Sequence, residues 1–436
     1  MILPKRNGSA DNPIRSRMAN RLDFLRHLGP GLMSGVSDDD PSGIATYSQA
    51  GAMLGYAACW IMLLCYPLMA ITQEISACIG RATGTGVVGI IRRHYPPWVL
   101  KPIVGLVVFA NVVNLGADLG AMADVLRLLI GGSPHLYVVL FGSLCAGLLT
   151  FIRLDRYVWF MKWASLSLFA YFLTAFSVPI PWDVVIYHTL VPSLPLSASA
   201  VAVFVAVMGT SISPYLFVWQ SSLEGERARG LPKLRRHSAT GMLASEEVNR
   251  IRIDTYIGMA VATLVAYAVI VTVASTLHAS GMTEISTSAE AAEALRPATG
   301  PFAYAVFSLG IIGTGLLAVP MLAASAAYAI GEGRRWPVGL ARAPHEAKAF
   351  YGCILAATIA GIAMNFAHID PIRALLWSAV INGLLAVPVL ALMMRIAVEP
   401  AIMGRLVLGR RLRLFGWLAT AIMAMTALAL LATLGQ

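Results

Sequence analysis

Three consecutive aspartates, at 38–40, interrupt a long hydrophobic stretch of the sequence and are followed by Pro-Ser-Gly at 41–43. Apolar runs flank them at 28–36 and 44–55. Neither run spans a bilayer alone, because a spanning helix needs roughly 20 apolar residues. Proline removes a backbone donor and glycine weakens a helix. The pattern predicts a broken helix with carboxylates at membrane depth, where an ionisable group marks a candidate functional site. The alternative is a short polar loop before a helix that begins at Ile44.

The overall composition indicates an all-α polytopic membrane protein. Hydrophobic residues make up 58% of the chain, charged residues only 12%, and the mean hydropathy is +0.73, far from a soluble average. The net charge of +10 comes from short basic clusters between apolar runs, which indicates membrane topology rather than nucleic-acid binding. Five single cysteines show no spacing for a zinc site or a disulfide framework. No catalytic motif is present, so we do not expect an enzyme.

The hydropathy pattern predicts about eleven membrane-spanning helices. Their approximate ranges are 29–53, 56–80, 101–130, 136–153, 157–178, 199–221, 255–278, 302–330, 349–367, 373–396 and 413–434. Lysine and arginine are concentrated in the N-terminal tail and in alternate loops. The positive-inside rule therefore predicts a protein of the cytoplasmic (inner) membrane with its N-terminus inside and its C-terminus outside.

The sixth predicted span repeats the peculiarity of the first. Residues 209–215 read Gly-Thr-Ser-Ile-Ser-Pro-Tyr and separate the apolar runs 198–208 and 216–223. Two interruptions five spans apart are typical of an inverted five-plus-five repeat that holds its substrate where two broken helices meet. A plain bend, caused by hydroxyls that bond to the preceding turn, is the alternative here. The repeat divides the chain into a cytoplasmic tail at 1–28, a first repeat at 29–178, a second at 199–396 and an extra C-terminal span at 397–436.

Several short motifs lie around the first interruption: Gly-Pro-Gly at 29–31, Asp-Pro-Ser-Gly at 40–43, Gln-Ala-Gly-Ala at 49–52 and Gly-Tyr at 55–56. With these motifs the sequence resembles the NRAMP family of divalent metal transporters, and the likeness extends over nearly the whole chain by span count and spacing. The resemblance implies a LeuT-like inverted-repeat fold with broken first and sixth helices. It also implies a divalent metal ion as the transported partner, with no further cofactor.

The resemblance assigns metal-binding positions, and the sequence departs from the family at several of them. The family's first-span motif is Asp-Pro-Gly-Asn, whose aspartate and asparagine bind the metal; here they correspond to Asp40 and Gly43. In the family's sixth-span motif, Ala-x-x-Met-Pro-His, the alanine carbonyl and the methionine sulfur bind the ion. The matching residues are Thr210, Ser213 and, at the histidine, Tyr215. The thioether and the imidazole are therefore both absent.

These departures favour a hard ion. Oxygen ligands suit Mg²⁺ and Mn²⁺, whereas sulfur favours softer transition metals, and Mg²⁺ retains much of its water. We therefore expect Asp40, with Asp39, Thr210 and Ser213, to bind a partly hydrated Mg²⁺ or Mn²⁺ in a roomier cavity, as in the NRAMP-related magnesium transporters. Asn382, in the tenth span, is either an outer oxygen ligand or a partner in a helix-to-helix hydrogen bond.

Proton coupling is expected to be absent. The family's third span carries an aspartate and a glutamate three residues apart that form a proton path with the sixth-span histidine. Here Asp118 matches the aspartate, while Ala121 and Tyr215 replace the other two. A tyrosine, with an ordinary pKa near 10, does not titrate at neutral pH. The alternative role for Asp118 is a buried carboxylate paired with Asn111 or Asn114.

Three functions remain open from the sequence. The first is a secondary transporter for divalent metal, Mg²⁺ or Mn²⁺ being favoured, that works by alternating access. The second is a carrier of the same fold for a small organic solute, cationic or amino acid-like, since carboxylates and hydroxyls also bind an ammonium group. The third is a sensor or a channel, which the lack of a soluble domain and of a repeated pore motif disfavours.

Overall fold

The computed structural model describes residues 30–151, 169–193, 195, 197–230, 241–367 and 370–434. Within these ranges the chain forms helices and no strands, which confirms the predicted all-α class. The predicted cytoplasmic tail, 1–28, lies outside the described residues, as does most of the predicted fifth span, 157–178.

The first half of the chain contains one short helix before the aspartates and a series of long apolar helices after them. In chain order these are α1 (Pro30–Asp38), α2 (Pro41–Leu54), α3 (Cys59–Thr83), α4 (Val87–His94), α5 (Pro97–Ile130), α6 (Pro134–Phe151), α7 (Phe169–Ser177) and α8 (Trp182–Leu190). A 3₁₀ turn, Gly55–Ala58, joins α2 to α3.

The second half repeats the pattern of a broken helix followed by long helices. Its helices are α9 (Ala198–Ser211), α10 (Pro214–Gly230), α11 (Gly241–Thr276), α12 (Ser288–Glu293), α13 (Arg296–Thr299), α14 (Ala303–Arg334), α15 (Lys348–Met364), α16 (Pro371–Ala397), α17 (Pro400–Met403) and α18 (Arg410–Leu434).

Nine helical stretches in the described part of the chain are long and apolar enough to cross a membrane, so the protein is a multi-pass membrane protein. Eleven spans were predicted. One of the nine, Pro41–Thr83, combines the second half of the predicted first span with the predicted second span, because the short turn between α2 and α3 is itself helical. The predicted fifth span falls largely outside the described ranges.

The broken helices pack in the centre of the bundle. The structure places α1 along α11, α9 along α16, and α10 along α3, while the long helices α5 and α14 run side by side. The backbones of α9 and α16 touch at Gly209: a Cβ atom there would collide with the carbonyl oxygen of Ala379 and the backbone nitrogen of Gly383. Small residues allow such close approach between membrane helices. Large apolar side chains such as Leu264, Leu309 and Leu428 remain exposed on outer faces, as membrane contact requires.

Candidate cation site at two helix breaks

The first break lies at residues 39 and 40, between α1 and α2. Asp40 is extended, with φ −71° and ψ 171°, because the proline that follows disfavours a helical conformation at the residue before it. Pro41 begins α2, where its missing N–H is not needed. The predicted broken helix is confirmed. The break precedes Pro41, whereas 41–43 form the first turn of α2, and the polar-loop alternative is wrong because α1 precedes the break.

Both carboxylate oxygens of Asp40 are held by hydrogen bonds. Oδ1 accepts from the backbone N–H of Gly43 at 2.6 Å, as expected of an aspartate that caps a helix. Oδ2 accepts from Nδ2 of Asn114 on α5 at 2.9 Å. The amide oxygen of Asn114, its Oδ1, accepts from the hydroxyl of Ser378 on α16 at 2.8 Å. Three helices therefore fix the orientation of the Asp40 carboxylate, which is only 2% exposed.

The second break lies at Ile212 and Ser213, between α9 and α10. The hydroxyl of Ser213 donates to the carbonyl oxygens of Gly209 and Thr210, both at 2.8 Å. These carbonyls belong to the last turn of α9, which leaves them without helical partners. The predicted bonding of a hydroxyl to the preceding turn therefore occurs, but it accompanies a true helix end rather than a mere bend.

Direct hydrogen bonds connect the two breaks. The hydroxyl of Tyr215, in the first turn of α10, donates to the carbonyl oxygen of Ser37 in the last turn of α1 at 2.8 Å. The hydroxyls of Tyr47 on α2 and Ser211 on α9 lie 3.2 Å apart. The carbonyl ends of α1 and α9 thus meet at one place, and the partial negative charge of helix C-termini favours a cation there.

Three more carboxylates lie buried near Asp40. Asp38, Asp39 and Asp118 are at most 1% exposed. The carboxylate oxygens of Asp38 and Asp39 have no hydrogen-bond partner among the described residues, whereas Asp118 interacts with the backbone of Ser42. The charged groups that act on these three carboxylates in that part of the chain are other aspartates. A buried, unpaired carboxylate is costly unless a cation or a proton neutralises it. The cluster therefore needs protons or a cation to neutralise it, and a metal ion that enters the site can displace those protons.

The structure brings some predicted residues together and separates others. Asn114 bonds to Asp40, and Asn111 donates to the carbonyl of Leu322 at 3.2 Å, so the predicted pairing of either amide with Asp118 is wrong. Asn382 is buried on α16, one turn beyond Ser378. Its neighbour Gly383 packs against α9 at Gly209.

The position of the family's asparagine is crowded. A Cβ atom at Gly43 would lie 3.1 Å from the carbonyl oxygen of Asp38 and 3.3 Å from Cε2 of Tyr47. Contacts this short force the neighbours to shift. The ring of Tyr47 and the backbone of α1 therefore occupy the space next to Gly43, and the expected roomier cavity is not found at this position.

Asn114 and Ser378 are site residues that the sequence did not single out as partners of Asp40. Ser378 stands four residues before Asn382 in the same apolar span, so a helical spacing of polar residues pointed to this face of α16. Its contact with Asn114 depends on how α5 and α16 pack, which local sequence does not reveal.

The protein side chains alone do not form a closed metal cage. No group of three histidine, cysteine, aspartate or glutamate side chains in the described ranges is arranged to hold an ion. An ion at Asp40 must therefore also take carbonyl, hydroxyl or water oxygens. Asp40, Thr210 and Ser213 are at most 3% exposed, so the site is closed to solvent in this conformation.

Comparison with known proteins gives the same fold and a family. The family model described as natural resistance-associated macrophage protein-like (Nramp) matches residues 31–433. A Verminephrobacter eiseniae protein named divalent metal cation transporter MntH is 28% identical over 377 residues, which cover 83% of this chain and 82% of that protein. A protein of the same name from Acidiphilium cryptum is 26% identical over 411 residues, or 90% and 88% of the two chains.

Solved structures are similar over almost the whole chain. The Eremococcus coleocola manganese transporter has a TM-score of 0.73 at 17% identity, covering 98% of this chain and 88% of that one. MhsT, solved in complex with L-phenylalanine, has a TM-score of 0.59 at 12% identity, covering 92% and 98%. At these identities the likeness shows the fold, a LeuT-like inverted repeat, and nothing about the substrate.

Proposed function

This chain belongs to the Nramp family, and from that premise we propose that it is a secondary transporter of divalent metal cations in the cytoplasmic membrane. In this proposal Mg²⁺ or Mn²⁺ is the favoured ion, and it moves by alternating access without proton coupling. The names of the two MntH relatives, which align over more than four fifths of both chains, support a divalent metal ion as the substrate.

The observation that carries the proposal is the set of buried aspartates at the first helix break. Asp40 is oriented by Gly43 and Asn114. Asp38 and Asp39 are buried beside it without hydrogen-bond partners in the described part of the chain, and the buried Asp118 interacts with Asp40. Transferring even one carboxylate into a low-dielectric interior costs several kcal/mol. A divalent cation balances two such charges at once, which makes it a better match for this cluster than a monovalent ammonium.

The preference for a hard ion rests on the donor atoms at the two breaks. Asp40 and Asp39 offer carboxylate oxygens, Thr210 a carbonyl or hydroxyl and Ser213 a hydroxyl, and Asn382 lies one turn beyond Ser378 on α16. Because the site offers oxygen where the family has sulfur, it suits Mg²⁺ or Mn²⁺, with retained waters filling the remaining positions.

The absence of proton coupling rests on what surrounds Asp40 and Asp118. Tyr215 takes the place of the family's histidine, and its hydroxyl is already engaged with the backbone of Ser37. Ala121 takes the place of the glutamate and is buried. No histidine is among the groups that interact with either aspartate in the described ranges. The relay that the family uses therefore lacks two of its three members.

The membrane orientation belongs to the same proposal. The basic clusters of the tail and of alternate loops favour an N-terminus in the cytoplasm and a C-terminus outside. The proposal retains the inverted repeats at 29–178 and 199–396, with 397–436 as the additional span.

Uptake by the purified protein in proteoliposomes tests the function. We expect Mg²⁺ or Mn²⁺ to enter down its gradient, and we expect Asp40→Asn to abolish the flux. The matched control is Asp124→Asn, on α5 but in an ion pair with Arg127 at 3.0 Å, which should retain uptake. Lack of metal flux and of metal binding by folded protein, with binding of an amine in the same calorimetric panel, would overturn the proposal in favour of an organic solute.

A further inference from the structure

Two sulfur atoms meet beside the first helix break. The thiol of Cys65 on α3 lies 3.4 Å from the thioether sulfur of Met208 on α9. Both side chains are fully buried, with 0% exposure. Cysteine and methionine sulfurs are common in apolar cores, so this contact alone indicates packing.

Polar groups surround the two sulfurs and change that interpretation. The Cys65 thiol also hydrogen-bonds to the hydroxyl of Ser211 and lies close enough to Asp38 to interact with its carboxylate. Ser211 in turn lies 3.2 Å from the hydroxyl of Tyr47, which interacts with both Asp38 and Cys65. A thiol, a thioether, two hydroxyls and a carboxylate therefore converge between α1, α2, α3 and α9.

Asp38 is the group in this cluster that lacks a hydrogen-bond partner or a counter-ion in the described part of the chain. It is 1% exposed, and neither of its oxygens has a hydrogen-bond partner in the described part of the chain. The charged groups acting on it there are Asp39 and Asp40, both of the same sign. A buried carboxylate without a counter-ion that interacts with a thiol is suited to a cation that also binds sulfur.

We propose that Asp38, Cys65 and Met208 form a second cation site, separate from Asp40, that binds soft or borderline ions such as Cd²⁺ and Zn²⁺. The thiol loses its proton to the medium when the ion binds, since the thiolate is the metal ligand. Tyr47 and Ser211 supply the neighbouring hydroxyl oxygens. The transport proposal places the hard ion at Asp40 and uses Asp38 only as part of the buried charge nearby. It does not use the sulfurs of Cys65 and Met208, so variants at these two residues test the second site independently of the function proposed above.

The separation of the two sulfurs needs only a small adjustment to accept an ion. Two sulfur ligands at zinc distances in a tetrahedral site lie about 3.8 Å apart, and the sulfurs of Cys65 and Met208 are 3.4 Å apart. Methionine is unbranched and flexible, so a movement of the Met208 side chain provides the difference. An ion bound there connects α3 to α9 and to the end of α1. Occupation of the site should therefore slow the movement of the half-helices during transport and inhibit Mn²⁺ uptake.

Titration of the purified full-length protein with Cd²⁺ tests the site directly. Ultraviolet absorbance reports the thiolate-to-Cd²⁺ charge-transfer band, which Mn²⁺ and Mg²⁺ do not produce. We expect wild type to develop the band with a stoichiometry of one, and Cys65→Ser to lose it with about a tenfold or greater loss of Cd²⁺ affinity. Cys78→Ser is the matched control because Cys78 is a buried cysteine on the same helix, and it should retain the band.

Two further variants keep the test decisive. Met208→Leu, which preserves size, should weaken Cd²⁺ binding several-fold while the charge-transfer band remains. Asp38→Asn leaves the thiol intact and should weaken Cd²⁺ binding by a similar factor. Asp40→Asn should abolish Mn²⁺ uptake and retain the Cd²⁺ band, which separates failure of the transport proposal from failure of this one. A wild-type titration without the band, or equal Cd²⁺ affinity in wild type and folded Met208→Leu and Asp38→Asn, would overturn the second site.

Discussion

The hydroxyl of Tyr215 donates a hydrogen bond to the carbonyl oxygen of Ser37 at 2.8 Å, and this bond joins the two broken helices of the inverted repeat. Ser37 lies in the last turn of α1, where the carbonyls lack partners within the helix. Tyr215 lies in the first turn of α10. Tyr215, which stands where the family has a histidine, therefore stabilises the contact between α1 and α10 in this chain.

Tyr215→Phe should loosen α1 without changing the charge of the site. The ring remains, but the Ser37 carbonyl loses its partner, at a cost of about 1 kcal/mol. We expect faster amide hydrogen exchange in 34–38, measured by mass spectrometry. Tyr56→Phe is the control. The hydroxyl of Tyr56 lies 2.9 Å from that of Ser275, so this variant removes a comparable hydrogen bond that is not at either helix break. Equal exchange of 34–38 in wild type and Tyr215→Phe would contradict the role assigned to this bond.

Asp40 has a structural and an electrostatic role, and two variants separate them. Asp40→Asn retains a helix-capping side chain but removes the charge, so we expect loss of metal uptake with little change in thermal stability. Asp40→Ala removes both and should also destabilise the protein by about 1 kcal/mol. Uptake by proteoliposomes and unfolding in detergent measure the two effects. Uptake by Asp40→Asn at the wild-type rate would exclude Asp40 from the site.

Asn114 should set the affinity for the ion through Asp40. Its amide orients the Asp40 carboxylate, and loss of such a partner typically costs 10- to 100-fold in metal affinity. We expect Asn114→Ala to raise KM for Mn²⁺ or Mg²⁺ in this range. Asn111→Ala is the control on the same helix, because Asn111 bonds the backbone of Leu322 instead, and its KM should stay near that of wild type. A similar KM for both variants would refute the positioning role of Asn114.

The helix breaks could be predicted from the sequence because their cause is local. An aspartate before a proline favours an extended backbone and a new helix start, and this is the conformation of Asp40. The partner of Asp40 could not be predicted, since Asn111, Asn114 and Asp118 all lie on one helix. The packing of α5 against α2 and α16 decides that Asn114, rather than Asn111, reaches the break.

The environment of Gly43 depends on tertiary packing in the same way. The sequence predicted a roomier cavity around the ion, but next to Gly43 the Tyr47 ring and the end of α1 occupy the space. The sulfur atoms near Asp38 also depend on packing that the motif does not reveal. The position of the family's methionine holds Ser213, yet Met208 and Cys65 bring sulfur close to Asp38 from helices that the motif does not include.

Gly209 should be essential for the packing of α9 on α16. A methyl group there would collide with the backbone at Ala379 and Gly383, and overpacking of this kind costs about 1–3 kcal/mol. We expect Gly209→Ala to lower the unfolding temperature in detergent. Gly147→Ala on α6 is the control, because a Cβ atom there meets no heavy atom within 4 Å. Equal unfolding temperatures for the two variants would show that α9 and α16 separate more easily than the structure indicates.

The last prediction concerns protons, and it follows from Tyr215. In proteoliposomes that contain a pH dye, metal uptake by wild type should change the metal signal but not the pH signal over an external range of about pH 6 to 8, where an imidazole titrates and a phenol does not. Tyr215→His places an imidazole near Asp40, Asp38 and Asp118, the three carboxylates with which Tyr215 interacts. Protonation of that imidazole at low pH adds a positive charge that opposes metal binding, so uptake by this variant should fall as the pH drops from 8 to 6. Acidification driven by metal uptake in wild type would instead show that a carboxylate, Asp118 or Asp39, carries protons in place of the missing histidine.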